Sequence, residues 1–431
     1  MHNNNFWLPF TPNRYFNKNQ KLLQQAKGMY YTTPDGKKIL DSCAGLWCVN
    51  AGHGQETIVK AIQSQAETLD YAPSFQVTHP MTIELSAKLC QLAPQGFSHA
   101  FFANSGSEAV DSVLKMALHY QQAKGEHQRT LLVGRQRDYH GVGFGGISVG
   151  GLPNNNKHFP MLPNVLHLPH THHIEQNAFS QGQPTYSTPF QDDINILTGK
   201  EDQIAAIIVE PMAGSVGVYL PPEGYLQSLR KYCDEIGALL IFDEVITAFG
   251  RLGNSFAAHE FNVVPDLITL AKGLTNGTVP MGAVLAKSDI YDTIVNAANE
   301  KAIEFYHGYT YTGHPLACSA ALASLEVYQE QDLFSRSKTL APYWQDQVHN
   351  LKDCKNVIDI RNYGLVAAIE LSPKAEQPGA RAFEAFQMAF EAGILLRITG
   401  DTIALSPPLI IEKDQIDLLC NVLADIFNKL T

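Results

Sequence analysis

Three continuous apolar runs in this 431-residue chain end on groups that could do chemistry. Ile204–Val209 leads into Glu210, Ala238–Phe242 into Asp243, and Leu267–Ala271 into Lys272. Runs apolar on both faces read as strands of a parallel sheet covered by helices. In such a sheet ligands bind at the carboxyl ends of the strands. Two carboxylates and one amine would therefore meet in one cleft. A lysine at the end of a buried strand loses hydration, which lowers its pKa and makes the amine nucleophilic. A Schiff-base lysine needs that property. The plain alternative is a lysine reaching along apolar surface to solvent.

Lys272 stands 29 residues (272 − 243) after Asp243, the length of one strand–helix–strand unit. The pair fits a pyridoxal phosphate site, where a carboxylate partners the pyridinium nitrogen and a lysine forms an imine. A phosphate holder is also present in outline. Ala100–Ala103 reads as a strand and is followed by Ser105-Gly106-Ser107-Glu108. Val110, Val113, Leu114, Ala117 and Leu118 then recur at helical spacing, with Gly125 as a stop. The first turn of a helix carries unpaired N–H groups and binds anions. The same four residues also fit an ordinary capping box.

Two other signals carry less. Gly141-x-Gly143-x-x-Gly146 matches a dinucleotide fingerprint, but no strand precedes it and no amphipathic helix follows. It reads as a flexible glycine-rich loop beside the site. His167, His170, His172 and His173 lack convincing metal-ligand spacing and read as surface histidines, so no metal is expected. The polar segment 176–193 reads as a long surface loop.

The elements that must position these groups alternate between strand and helix. Arg129–Gly134 adds a further strand, which makes the fold α/β. Residues 371–431 read as α+β, with Ala382, Phe383, Phe386, Ala389 and Phe390 on one helical face. Hydrophobic residues make up 45 % of the chain, enough for a large core. The net charge of −11 argues against a nucleic-acid partner. Charged residues are only 17 %, so the surface is lightly charged or a good part of it is buried against another subunit. No apolar run reaches membrane-spanning length, and the N-terminal residues do not read as a signal peptide. Seven scattered cysteines without a C-x-x-C suggest reduced thiols and a cytoplasmic setting.

The chain resembles the class III aminotransferases. The residues that carry the resemblance are Ile241-Phe242-Asp243-Glu244-Val245, Ala271-Lys272-Gly273 and Ser105-Gly106-Ser107-Glu108. It extends to Ala44–Cys48, Asp138–Gly146, Val245–Arg251 and His307–Tyr311, which look like the ω-amino acid–pyruvate (β-alanine–pyruvate) branch. The resemblance implies the aspartate-aminotransferase fold (fold type I). A large, mostly parallel-sheet domain would span 55–310, and 1–54 with 311–431 would form a small α+β domain.

It also implies roles. Lys272 would hold pyridoxal 5′-phosphate and move the proton, and Asp243 would pair with the pyridine nitrogen. Gly106 and Ser107 would bind the phosphate, Tyr139 and Val245 would flank the ring, and Glu210 would sit beside it. Thr310 would reach the cofactor of a neighbouring subunit, in a homodimer or dimer of dimers. Trp47 and Arg397 would shape the substrate pocket, and Arg397 would grip a carboxylate. Where the branch carries a polar residue seven places after that arginine, this chain has Ala404. The implied activity is ping-pong transamination from β-alanine to pyruvate. Taurine or another ω-amine is the alternative donor. An aminomutase or decarboxylase is the rival on the same scaffold, and a nicotinamide oxidoreductase the rival outside it.

Overall fold

The structure, a computed structural model, describes residues 5–430. Its centre is a seven-stranded sheet. In chain order the strands are β1 (Phe97–Ala103), β2 (Leu131–Arg135), β3 (Val165–Leu168), β4 (Ile204–Val209), β5 (Leu239–Asp243), β6 (Leu267–Leu270) and β7 (Gly282–Lys287). Across the sheet they run β1-β7-β6-β5-β4-β2-β3. Strands β2 to β6 are mutually parallel, and β7 runs antiparallel between β1 and β6. Every residue of β4, β5 and β6 is buried, as strands covered on both faces must be. Because these three are neighbours, their carboxyl ends open on one side of the sheet.

The helix after β1 is α1 (Gly106–Ala123). Val110, Val113, Leu114 and Ala117 are buried, which fixes one face on the sheet. Burying each of the larger side chains stabilises by about 1.5–3 kcal/mol, so a charged residue at Val113 would strip the helix from its support. Ser105 caps its start, its Oγ accepting from Glu108 N at 3.2 Å. Gly125 adopts φ 83° just past the end, a backbone state that costs glycine nothing.

Two four-stranded sheets flank this core. One joins the chain's two ends, since Lys38–Asp41 pairs in parallel with Ile394–Leu395. The other combines Val357–Tyr363, Val366–Leu371, Thr402–Leu405 and Arg397–Thr399. Ala404 is buried there, opposite Arg397 and Ala368, and does not line the cleft described below. Helix α2 (Ala380–Glu391) covers this region with a split face. Ala382, Ala385 and Ala389 face the core, while Phe383 and Phe386 meet Tyr15 and Phe16 of the N-terminal segment.

Two expectations are corrected and a third is refined. The loop Gly141–Gly146 is packed rather than flexible. A Cβ on Gly143 or Gly145 would fall within 2.6 Å of the Asp111 carboxylate, and residues Phe144–Val149 are helical. The histidines at 167, 170, 172 and 173 are half-buried rather than on the surface, and His172 stacks on Tyr219 at 4.3 Å. The segment 176–193 is largely the expected surface loop over 178–189, but it is tied down. Short helices bound it at Ile174–Asn177 and Phe190–Ile194, Asn177 Nδ2 donates to Tyr186 O, and Phe179 N donates to Asp359. All seven cysteines are free thiols. Among the described residues no helix is long and apolar enough to cross a membrane.

Candidate active site

A cleft of about 370 Å³ opens at the carboxyl ends of β4, β5 and β6. It is lined by Lys272, Asp243, Glu210, Tyr139, Val245, Gly106, Ser107, Trp47 and Arg397. Nine of the ten expected site residues thus come together from seven separate stretches of chain. Thr310 lies outside it, on the surface, where its carbonyl accepts from Tyr71 Oη at 2.9 Å.

Asp243 ends β5 and is 4 % exposed. Its Oδ1 accepts from Thr269 Oγ1 at 3.0 Å and from Val245 N at 3.1 Å, while Oδ2 meets His140 Nδ1 at 2.7 Å. Burial pushes the His140 imidazole down, but the Asp243 bond and the carboxylates of Asp138 and Glu210 outweigh it, and its pKa is raised. The His140 ring thereby fixes the orientation of the Asp243 carboxyl group from the side opposite Thr269. Thr269 belongs to β6, so the next strand orients the acid of β5.

Glu210 follows β4. Its Oε1 accepts from Tyr139 N at 2.8 Å and its Oε2 from Gly214 N at 3.1 Å. Burial, with Asp138 and Asp243 nearby, raises its pKa. Asp138 closes a further ring: it accepts from Glu210 N at 3.0 Å and from Arg135 Nε at 3.0 Å. The end of β2 is thereby tied to the end of β4, and the backbone of Tyr139 is fixed against the cleft.

Lys272 lies two residues beyond β6, in a left-handed backbone state with φ 47°. That conformation costs a non-glycine residue about 1–2 kcal/mol, and such strain gathers at functional sites. Tyr328 Oη donates to Gly273 O at 2.5 Å, and a Cβ on Gly273 would meet Asn50 Nδ2 at 2.8 Å. The turn is therefore held from below, and a side chain after the lysine would have to displace Asn50. Burial lowers the Lys272 pKa, and the carboxylates of Asp243 and Glu210 offset part of that fall.

Gly106 supplies a cradle: a Cβ there would stand 3.0 Å from Val245 Cγ1. The capping bond and the anion site are compatible, because the cap leaves the N–H groups of Gly106 and Ser107 without intrahelical acceptors. Ser107 Oγ accepts from Val142 N, and a Cβ on Gly141 would collide with Ser107. The glycine-rich loop thus closes over the start of α1.

The family model for "Aminotransferase class-III" matches residues 15–427. The chain belongs to the class-III aminotransferases. It is 52 % identical over 427 residues to an omega-aminotransferase of Caulobacter vibrioides, covering 98 % of this chain and 97 % of the relative. It is 45 % identical to a beta-alanine–pyruvate aminotransferase of Pseudomonas aeruginosa, covering 98 % and 95 %. A PLP-bound amine transaminase from an uncultivated Pseudomonas species superposes with a TM-score of 0.90 at 33 % identity, covering 99 % of both chains. The fold is that of the fold type I pyridoxal phosphate transaminases.

Pyridoxal phosphate is the cofactor of this aminotransferase. The cleft fits it: a buried amine, a carboxylate held by three donors, a helix start with free N–H groups, and a glycine where a side chain would intrude. Sequence reasoning missed His140, Thr269, Asp138 and Arg135 as a supporting network. His140 and Asp138 flank Tyr139 in a motif already singled out, so their place near the site could be read. Their partners, 103 and 72 residues away in sequence, could not.

Proposed function

We propose that this aminotransferase moves the amino group of an ω-amino acid, β-alanine foremost, to pyruvate, giving alanine and an oxo acid. The observation that carries this reading is the placement of Arg397 in the same cleft as Lys272, with no carboxylate paired to it among the described residues. A guanidinium fork without a partner, beside a nucleophilic amine, suits a substrate bearing both amine and carboxylate. The names of two relatives, which carry beta-alanine or omega-amino acid together with pyruvate, support it.

When bound, pyridoxal phosphate supplies an electron sink that makes the carbon bearing the amine acidic. The chain's own groups do the rest. Lys272 Nζ would hold the cofactor and, once free, would serve as the base that takes the proton from the substrate carbon and the acid that returns it. Burial lowers its pKa, which favours the neutral amine this role needs. Asp243 would pair with the pyridine nitrogen, and His140 and Thr269 keep it aimed. Gly106 and Ser107 hold the phosphate. Tyr139 and Val245 flank the ring, and Glu210 fixes Tyr139 by its backbone. Trp47 and Arg397 bound the substrate.

Thr310 completes the cleft of a second copy in a homodimer or dimer of dimers. Around it Tyr71, Phe75 and Tyr311 expose large apolar surface, which a second copy would cover. The free thiols are consistent with a cytoplasmic enzyme.

A donor panel tests the reading. With pyruvate, β-alanine should give alanine, taurine and longer ω-amines should follow, and an Arg397→Ala variant should lose the carboxylate-bearing donors selectively. Reaction with α-amino acids alone would overturn it. Turnover without an acceptor would point instead to an aminomutase or decarboxylase.

A further inference from the structure

A second chamber, of about 730 Å³, adjoins the cleft. Its walls are the N-terminal strap and helix α2, which Tyr15 joins through its edge contact with Phe383 and through Gln387 Nε2 donating to Tyr15 Oη at 2.7 Å. Phe10, Asn155 and Arg397 line both spaces, so the two communicate. Phe10 holds its ring there from a left-handed backbone, φ 48°. The lining is mostly apolar and includes Leu8, Phe16, Leu23, Phe386 and Ile398. Its size is that of a small-molecule site.

Its charges are one-sided. Lys21 lines the chamber, with Nζ 4.9 Å from the centre of the Phe390 ring and 5.7 Å from that of Phe386. Arg397 stands where the chamber meets the cleft. No acidic residue lines the space, and neither cation forms an ion pair among the described residues. An apolar passage with one unpaired cation at the cleft and another along its wall suits a ligand with an apolar middle and an anionic end.

We infer that this chamber takes the chain of a long ω-amino acid, whose amine reaches Lys272 and whose far carboxylate meets Lys21. A short donor such as β-alanine uses Arg397 and leaves the chamber empty. The inference rests on the ω-amino acid reading above and adds a second carboxylate station to it.

The test compares three donors with pyruvate in the holoenzyme: β-alanine, 8-aminooctanoate and octylamine. Lys21→Met keeps the apolar stem and removes the charge. It should lower kcat/KM for 8-aminooctanoate about fivefold, the scale of one partly exposed charge pair, mainly through KM. It should leave β-alanine and octylamine within about twofold. Leu23→Trp narrows the chamber from the strap and should depress both eight-carbon donors while sparing β-alanine. The inference falls if 8-aminooctanoate is not a donor, or if Lys21→Met affects all three donors alike. Failure of β-alanine as a donor would instead strike the functional reading, and a Lys21-dependent 8-aminooctanoate reaction would stand without it.

Discussion

The molecule buries two clusters of charge built from the same kinds of residue. At the ends of β4 to β6, Asp243, Glu210 and His140 surround Lys272. In the C-terminal sheet, Arg361 Nη1 donates to Asp359 and, at 2.7 Å, to Glu370, with His172 Nε2 3.5 Å away. The guanidinium lies 4.9 Å from the centre of the Tyr219 ring, which covers it. His172, Asp359 and Glu370 have the composition of a metal site, yet Arg361 already supplies the cation between them. The second cluster is electrostatically closed. The first has a lysine on the wall of an open cleft, and its acids are held in place mainly by backbone N–H groups, a hydroxyl and an imidazole. Burial alone does not make a reactive site. An amine that faces a void while its neighbours are immobilised does.

That contrast can be broken by exchange. Lys272→Ala should lower turnover by at least about 10³-fold, since it removes the general base and acid, while stability and the fold seen by circular dichroism stay near wild type. Retained activity would end the account of the site. Arg361→Met should do the reverse. It leaves Asp359 and Glu370 without their cation, which for a buried pair costs about 3–5 kcal/mol. The melting temperature should fall by several degrees, while kcat/KM at a permissive temperature stays within a few-fold. A large loss of activity without loss of stability would mean that the second cluster acts on the first. Asp243→Asn comes next: it keeps the hydrogen-bonding shape and removes the charge, so turnover should drop by about 10²-fold. The visible spectrum of the bound cofactor should shift as well, which a purely structural role would not cause.

The two clusters were not equally readable in sequence. All of the first cluster but His140 announces itself, because the lysine and the two acids sit at or just past the end of an apolar run, where a local pattern and the rule for parallel sheets suffice. Lys272, Asp243 and Glu210 needed no long-range knowledge. The second depends on a half-buried histidine at 172 meeting a strand almost two hundred residues later, and nothing local to either marks the pairing. The same limit explains α2. Its apolar spacing was visible, but the division into an alanine face for the core and a phenylalanine face for the strap depends on Tyr15 and Phe16, some 370 residues earlier. The glycines at 141–146 looked flexible because composition carries no information about Asp111, whose carboxylate they pack against.

A third buried charge sharpens the comparison, and its expected effect is the smallest. Glu244 follows Asp243 but points the other way, into the core beside Ala257 and Ala258. Its carboxylate accepts from both of their N–H groups and from Thr247 Oγ1, and it forms no ion pair among the described residues. Burial pushes its pKa up to about 7 despite those donors. The folded protein therefore holds the proton more tightly than the unfolded chain. The stability this contributes is complete below the ordinary carboxyl value and is lost as pH rises through about 7. Between pH 6 and pH 8 the wild type should lose about 1 kcal/mol that a Glu244→Gln variant does not, read as the difference in denaturant midpoint at the two pH values. Because the glutamine also changes the bonds to Ala257 and Ala258, the slope with pH is the readout, not the absolute stability. Equal slopes would mean that backbone donors can stand in for a cation beside a buried carboxylate. The cation would then not be what separates a closed cluster from an open one.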